Sequence, residues 1–75
     1  MRTEEEWALL AKRLLKAEMT KRGITYDQLS EKLSELGVHD TAVNLRNKVA
    51  RGKFTAVFLL QCLEAIGCKS ISLAD

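Results

Sequence analysis

The 75-residue chain has no proline, four glycines, two cysteines, one histidine and only four aromatic residues. No apolar run approaches the roughly 20 residues that a membrane-spanning helix needs. The cysteines, Cys62 and Cys68, lie six apart, which suits neither a disulfide framework nor a zinc-ligand spacing. Both read as structural residues of a protein kept in a reducing cytoplasm, with Cys62 inside an apolar helical pattern. His39 falls in a turn, with no serine or cysteine placed to use it as a base. No nucleophile–base pair, metal cluster or phosphate loop is visible, so the sequence points away from an enzyme and calls for no cofactor, metal or small-molecule ligand. An aromatic content of 5% argues against the stacking platforms that bind RNA or single strands. The polar, acidic start, Met1 to Glu6, does not have the form of a signal peptide.

What is present describes one small globular domain spanning residues 1–75. Apolar residues make up 47% and charged residues 29%, outside the range of disordered chains. A chain of this length buries only about 60% of its unfolded surface, so its core is small.

With no proline, the glycines divide the chain. Gly23, Gly37, Gly52 and Gly67 each follow a periodic segment, as helix-closing glycines do. The first helix is expected over about 4–22, with an apolar stripe of Trp7, Leu10, Ala11, Leu14 and Leu15 that ends at Glu18. Trp7 on that stripe reads as core or as a dimer contact rather than as a base-stacking residue. The second helix is expected over about 26–36, with a capping box of Thr25 and Gln28 and an inner face of Tyr26, Leu29, Leu33 and Leu36. The third covers about 41–51, capped by Asp40 or Thr41, with Ala42, Leu45 and Val49 inward. Its opposite face carries Val43, Asn44, Asn47 and Arg51, flanked by Arg46 and Lys48. The fourth covers about 56–66, capped by Thr55, with a staple between Phe54 and Leu59 and a buried stretch of Phe58, Leu59, Cys62, Leu63 and Ile66. Beyond Gly67, Ile71 and Leu73 alternate with serines, which fits a short strand, a last helical turn or a dimer contact.

The net charge of +2 is unevenly spread. Residues 1–40 hold seven basic and eight acidic side chains, for −1. Residues 41–63 hold Arg46, Lys48, Arg51 and Lys53 and no acid, for +4, and residues 64–75 return −1. The basic segment is the third helix and the turn after it, and it also presents Asn44 and Asn47. Lys and Arg neutralise phosphates, while Arg and Asn pair with base edges in a two-pronged fashion. A basic helix of this size is a nucleic-acid signal, although a charged face is also what any solvated helix shows.

The order of elements strengthens that signal. Ile24-Thr25-Tyr26-Asp27-Gln28-Leu29, Gly37-Val38, the Arg51-Gly52-Lys53 turn and the stretch from Phe58 to Gly67 together resemble the helix-turn-helix domain of lambda-repressor-like (Cro/C1-type) regulators. The likeness covers roughly residues 24–73. The stretch from Asn47 to Phe54 is also similar to small bacterial and phage proteins classed as domains of unknown function. The resemblance implies an all-α, compact domain of four to five helices, with the helix-turn-helix at about 26–51. It implies that the third helix lies in the major groove of double-stranded DNA and that the protein binds as a homodimer. Thr25, Tyr26 and Gln28 then become candidate phosphate contacts. Asn44, Arg46, Asn47, Lys48 and Arg51 become candidate contacts of the recognition helix, and Lys53 a backbone contact. Two departures stand out. Gly37 lies seven residues beyond Ser30 rather than four beyond the equivalent position, which makes helix 2 about one turn longer or changes its register. Arg46 falls on the family's buried position while Leu45 is the apolar residue, which rotates helix 3 by one residue.

The function expected is therefore sequence-specific DNA binding by a small transcriptional regulator of bacterial or phage origin. The alternative is a protein–protein interaction module that keeps the fold without binding DNA.

Overall fold

The computed structural model describes residues 1–73. Four helices account for its regular structure: α1 Glu4–Lys21, α2 Tyr26–Glu35, α3 Ala42–Arg51 and α4 Ala56–Ala65. A threonine caps each one. The hydroxyl oxygens of Thr3, Thr25, Thr41 and Thr55 accept from the N–H of Glu6, Gln28, Asn44 and Phe58 at 3.0–3.2 Å. Each satisfies one amide that the first helical turn leaves without a partner. At α1 and α2 the cap is reciprocal, because Glu6 and Gln28 side chains accept from the N–H of Thr3 and Thr25. The box expected at Thr25 is thus present, and a second one stands at Thr3.

All four glycines follow their helices with positive φ. At α1, α2 and α4 the next residue donates back across the turn: Ile24 to Met19, Val38 to Leu33 and Cys68 to Leu63, each at 2.9 Å. Those residues are the apolar anchors of Schellman turns, and all three pack against the core. This corrects the inner face drawn for helix 2. Leu36 sits past the last full turn and is 45% exposed, and Val38 packs against the core instead.

The core consists of Leu15, Met19, Leu29, Leu33, Leu45, Val49, Phe58, Cys62, Leu63 and Ile66. Helices α1 and α2 each pack against both α3 and α4. The register of helix 3 follows the sequence, with Leu45 and Val49 fully buried and Arg46 in solvent. Phe54 meets Phe58, with ring centroids 5.4 Å apart, one residue before the Leu59 position expected for a staple. Leu59 is only half-buried.

Helix 1 keeps its expected stripe from Leu10 to Glu18, with Leu10, Ala11, Leu14 and Glu18 half-buried, and departs from it only at Trp7. Leu15 and Met19 are its buried residues, and Trp7 is 53% exposed. The end of α3 comes close to α1 at Ala8. Gly52 is buried against the backbone of Ala8, so closely that a Cβ there would run into the Ala8 carbonyl. A small residue on α1 and a glycine after α3 permit that contact.

Residues 68–73 form neither helix nor strand. Ile71 folds back on the core, whereas Leu73 is exposed. Positions 74 and 75, part of the tail considered above, lie outside the described residues.

Candidate nucleic-acid interface

The residues between α2 and α3 hold α3 in place. The Asp40 carbonyl accepts from Ser30 Oγ at 2.6 Å, which ties the entrance of α3 to the middle of α2. One Asp40 carboxylate oxygen accepts from the Thr41 N–H at 3.0 Å. The other meets Lys48 Nζ at 2.7 Å. The Lys48 hydrogen bond, chief among these contacts, holds the Asp40 carboxyl below its usual range. The connection spans residues 36–41, longer than the three- to four-residue turn of a helix-turn-helix. Within it Ser34 Oγ lies 3.5 Å from His39 Nδ1, a contact between exposed side chains that the sequence did not suggest.

Helix α3 is fastened on both flanks. The Arg46 guanidinium lies 5.5 Å from the ring centroid of Tyr26, the first residue of α2. Burial raises the pKa of the Tyr26 hydroxyl, so it remains a proton donor at neutral pH, with Arg46 acting in the opposite direction. On the other flank the Lys48 ammonium sits 5.1 Å above the Phe58 ring while it pairs with Asp40. Between the flanks, Val43, Asn44, Asn47 and Arg51 are exposed. No acidic residue occurs in α3.

At the end of α3 the chain turns at Gly52 into Lys53, whose Nζ lies 3.2 Å from Glu4 of α1. Lys48, Arg51, Lys53, Phe54, Thr55 and Phe58 enclose an open hollow of about 210 Å³. Three cations and the start of α4 thus face one concavity, an arrangement suited to an anion.

The nine candidate residues lie on α2 and α3 or at their ends, in different states. Asn47 and Arg51 face solvent, and the exposed Asn44 also hydrogen-bonds the Asp40 carboxylate. Arg46 leans on Tyr26, and Lys48 and Lys53 already hold carboxylates. Thr25 and Gln28 are occupied by each other, which leaves the Gln28 amide group as a free donor. Sequence reasoning missed three participants. Val43, an apolar side chain among the polar residues of the outer face, is 61% exposed. Asp40 and Glu4 neutralise two of the four cations, and the excess of basic residues in 41–63 concealed it because both acids lie outside that segment.

Among the described residues no group of three or more His, Cys, Asp or Glu is placed to hold a metal, and no helix is long and apolar enough to cross a membrane. The family described as "Domain of unknown function (DUF6471)" matches residues 7–71. The chain belongs to this family. The match takes in all of α2, α3 and α4 and most of α1, so the whole helical frame around the candidate interface lies within the DUF6471 domain. No curated protein and no solved structure matches the chain.

Proposed function

We propose that this DUF6471 domain binds double-stranded DNA through the exposed face of α3, as a small cytoplasmic transcriptional regulator with a helix-turn-helix type of arrangement. The observation that carries the reading is the face itself. Asn44, Asn47 and Arg51 project together from a helix without acidic residues, with Arg46 beside them over Tyr26. Asn and Arg read adenine and guanine edges, and the exposed Val43 suits a thymine methyl group. The hollow at the end of α3 suits a phosphate, and the Tyr26 hydroxyl and Gln28 amide supply neutral donors on the α2 side. Two such domains on one duplex read half-sites about one helical turn apart.

The ion pairs adjust the expected salt dependence. Four phosphate contacts per subunit give a log–log slope near −7 for a dimer, at about −0.9 per contact. Lys48 and Lys53 must first exchange Asp40 and Glu4 for phosphate. Two contacts per subunit then dominate, with a slope near −2 for one domain and near −4 for two.

A titration of mixed-sequence duplex by fluorescence anisotropy, at about 50 and 200 mM salt, tests this. Arg46→Ala combined with Arg51→Ala weakens binding at least about tenfold and flattens the slope by roughly 2 per subunit. Absence of binding at low salt sinks the reading. A second reading, a protein-interaction module on the same fold, draws on the two neutralised lysines. It expects the double variant to leave the partner's affinity unchanged.

A further inference from the structure

The chain's most apolar helix leaves apolar side chains uncovered on its outer side. No charged residue occurs in α4 from Ala56 to Leu63. Its inward residues Phe58, Cys62 and Leu63 are buried, but Val57 is 63% exposed and Leu60 65%. A helix that is apolar all round is normally enclosed on all sides. Here the outer side instead forms a wall of a groove of about 780 Å³, closed by the segment that returns after Gly67. Leu59, Leu60, Leu63 and Ile71 line it. Glu64 and Lys69 stand in the same lining, one acid and one base, and neither makes an ion pair among the described residues. The groove therefore has an apolar floor, an apolar projection in Leu60, and rim charges of both signs.

We propose that this groove is a homodimer interface, occupied by the same groove of a second copy around a two-fold axis. Such an interface is isologous, so each contact occurs twice with the roles reversed. A surface that carries one acid and one base beside an apolar ridge is complementary to itself in that arrangement. Leu60 of each copy enters the partner's groove, and each Glu64 faces the other copy's Lys69. The result has an apolar centre and a polar rim, the usual layout of a protein interface. The groove lies outside the α3 surface, and the proposal holds whether or not α3 binds DNA.

Sedimentation equilibrium without DNA tests it, in reducing buffer because Cys68 also lines the groove. Loading runs from about 1 μM to 1 mM, the range in which a modest interface shows both species. The wild-type chain is expected to dimerise within it. Leu60→Glu changes an exposed residue, so circular dichroism should report an intact fold. Removing two buried leucines from the dimer weakens it at least about a hundredfold. Glu64→Lys and Lys69→Glu each weaken it about two- to thirtyfold, and the doubly exchanged chain regains wild-type association. A chain that stays monomeric throughout overturns the proposal and assigns the groove to a different protein. A dimer indifferent to Leu60→Glu overturns it too, because the contact then lies elsewhere.

Discussion

Gly52→Ala is the substitution for which the structure makes its sharpest demand. Gly52 sits at φ +68°, where an L-residue is strained by about 1 kcal/mol. The added methyl would also meet the Ala8 carbonyl group, its carbon only 2.9 Å away. Both obstructing atoms are backbone, so relief requires α1 to move off the end of α3. Overpacking of that kind costs about 1–3 kcal/mol more, for a total of about 2–4 kcal/mol. A chain of 75 residues has about 4–11 kcal/mol of stability at roughly 0.05–0.15 per residue, so the loss is a large fraction. Gly37→Ala is the internal control. It has the same strain at φ +82°, but nothing lies within 4 Å of its added Cβ. Urea unfolding followed by far-UV circular dichroism should show a midpoint shift for Gly52→Ala at least about twice that for Gly37→Ala, with unchanged slopes. Equal shifts would refute the close approach of α1 and α3.

Three further expectations can be checked with purified protein. Leu45→Ala should cost about 2–5 kcal/mol in chemical unfolding and Arg46→Ala within about 0.5 kcal/mol, which checks the register of α3. Burial pushes the Cys62 thiol up to about 12, so only Cys68 should react promptly with a thiol reagent near pH 8. The folded state keeps the Cys62 proton while the unfolded state loses it above about pH 9, so Cys62 should make stability fall as pH rises from there toward 12, and Cys62→Ala should lack that component. Asp40 has a lowered pKa, so its contribution is present above the ordinary carboxylate value and is lost as pH falls through the folded one. Asp40→Asn should therefore flatten the acid limb of stability below about pH 4, and, by freeing Lys48, raise duplex affinity about two- to fivefold near 50 mM salt.

The helices were legible because their punctuation is local. Thr25 and Thr55 cap through their own helix, and Gly23, Gly37, Gly52 and Gly67 close the segments before them. The outer face of α3 was legible because Leu45 and Val49 alone fix its inward direction. The apolar residues after three of the glycines, Ile24, Val38 and Cys68, also mark Schellman turns, and that signal corrects Leu36. Other features arise only when separate elements meet. Ala8 matters because Gly52 arrives beside it, and the two are 44 positions apart. Lys53 and Glu4 are similarly distant in the chain. Lys48 and Asp40 are near in sequence, but their pairing depends on how the connection folds back over the start of α3. Counting charges by segment could not find either pair.

The most direct measurement is a two-dimensional amide NMR titration of the labelled protein with a short mixed-sequence duplex at low salt. The account predicts that the largest shifts fall on residues 43–53 and on 25–28, while Val57, Leu60 and Ile71 move little beyond any effect of dimerisation. Shifts confined to α4 and the segment after it, or no shifts at all, would contradict the assignment of DNA binding to α3.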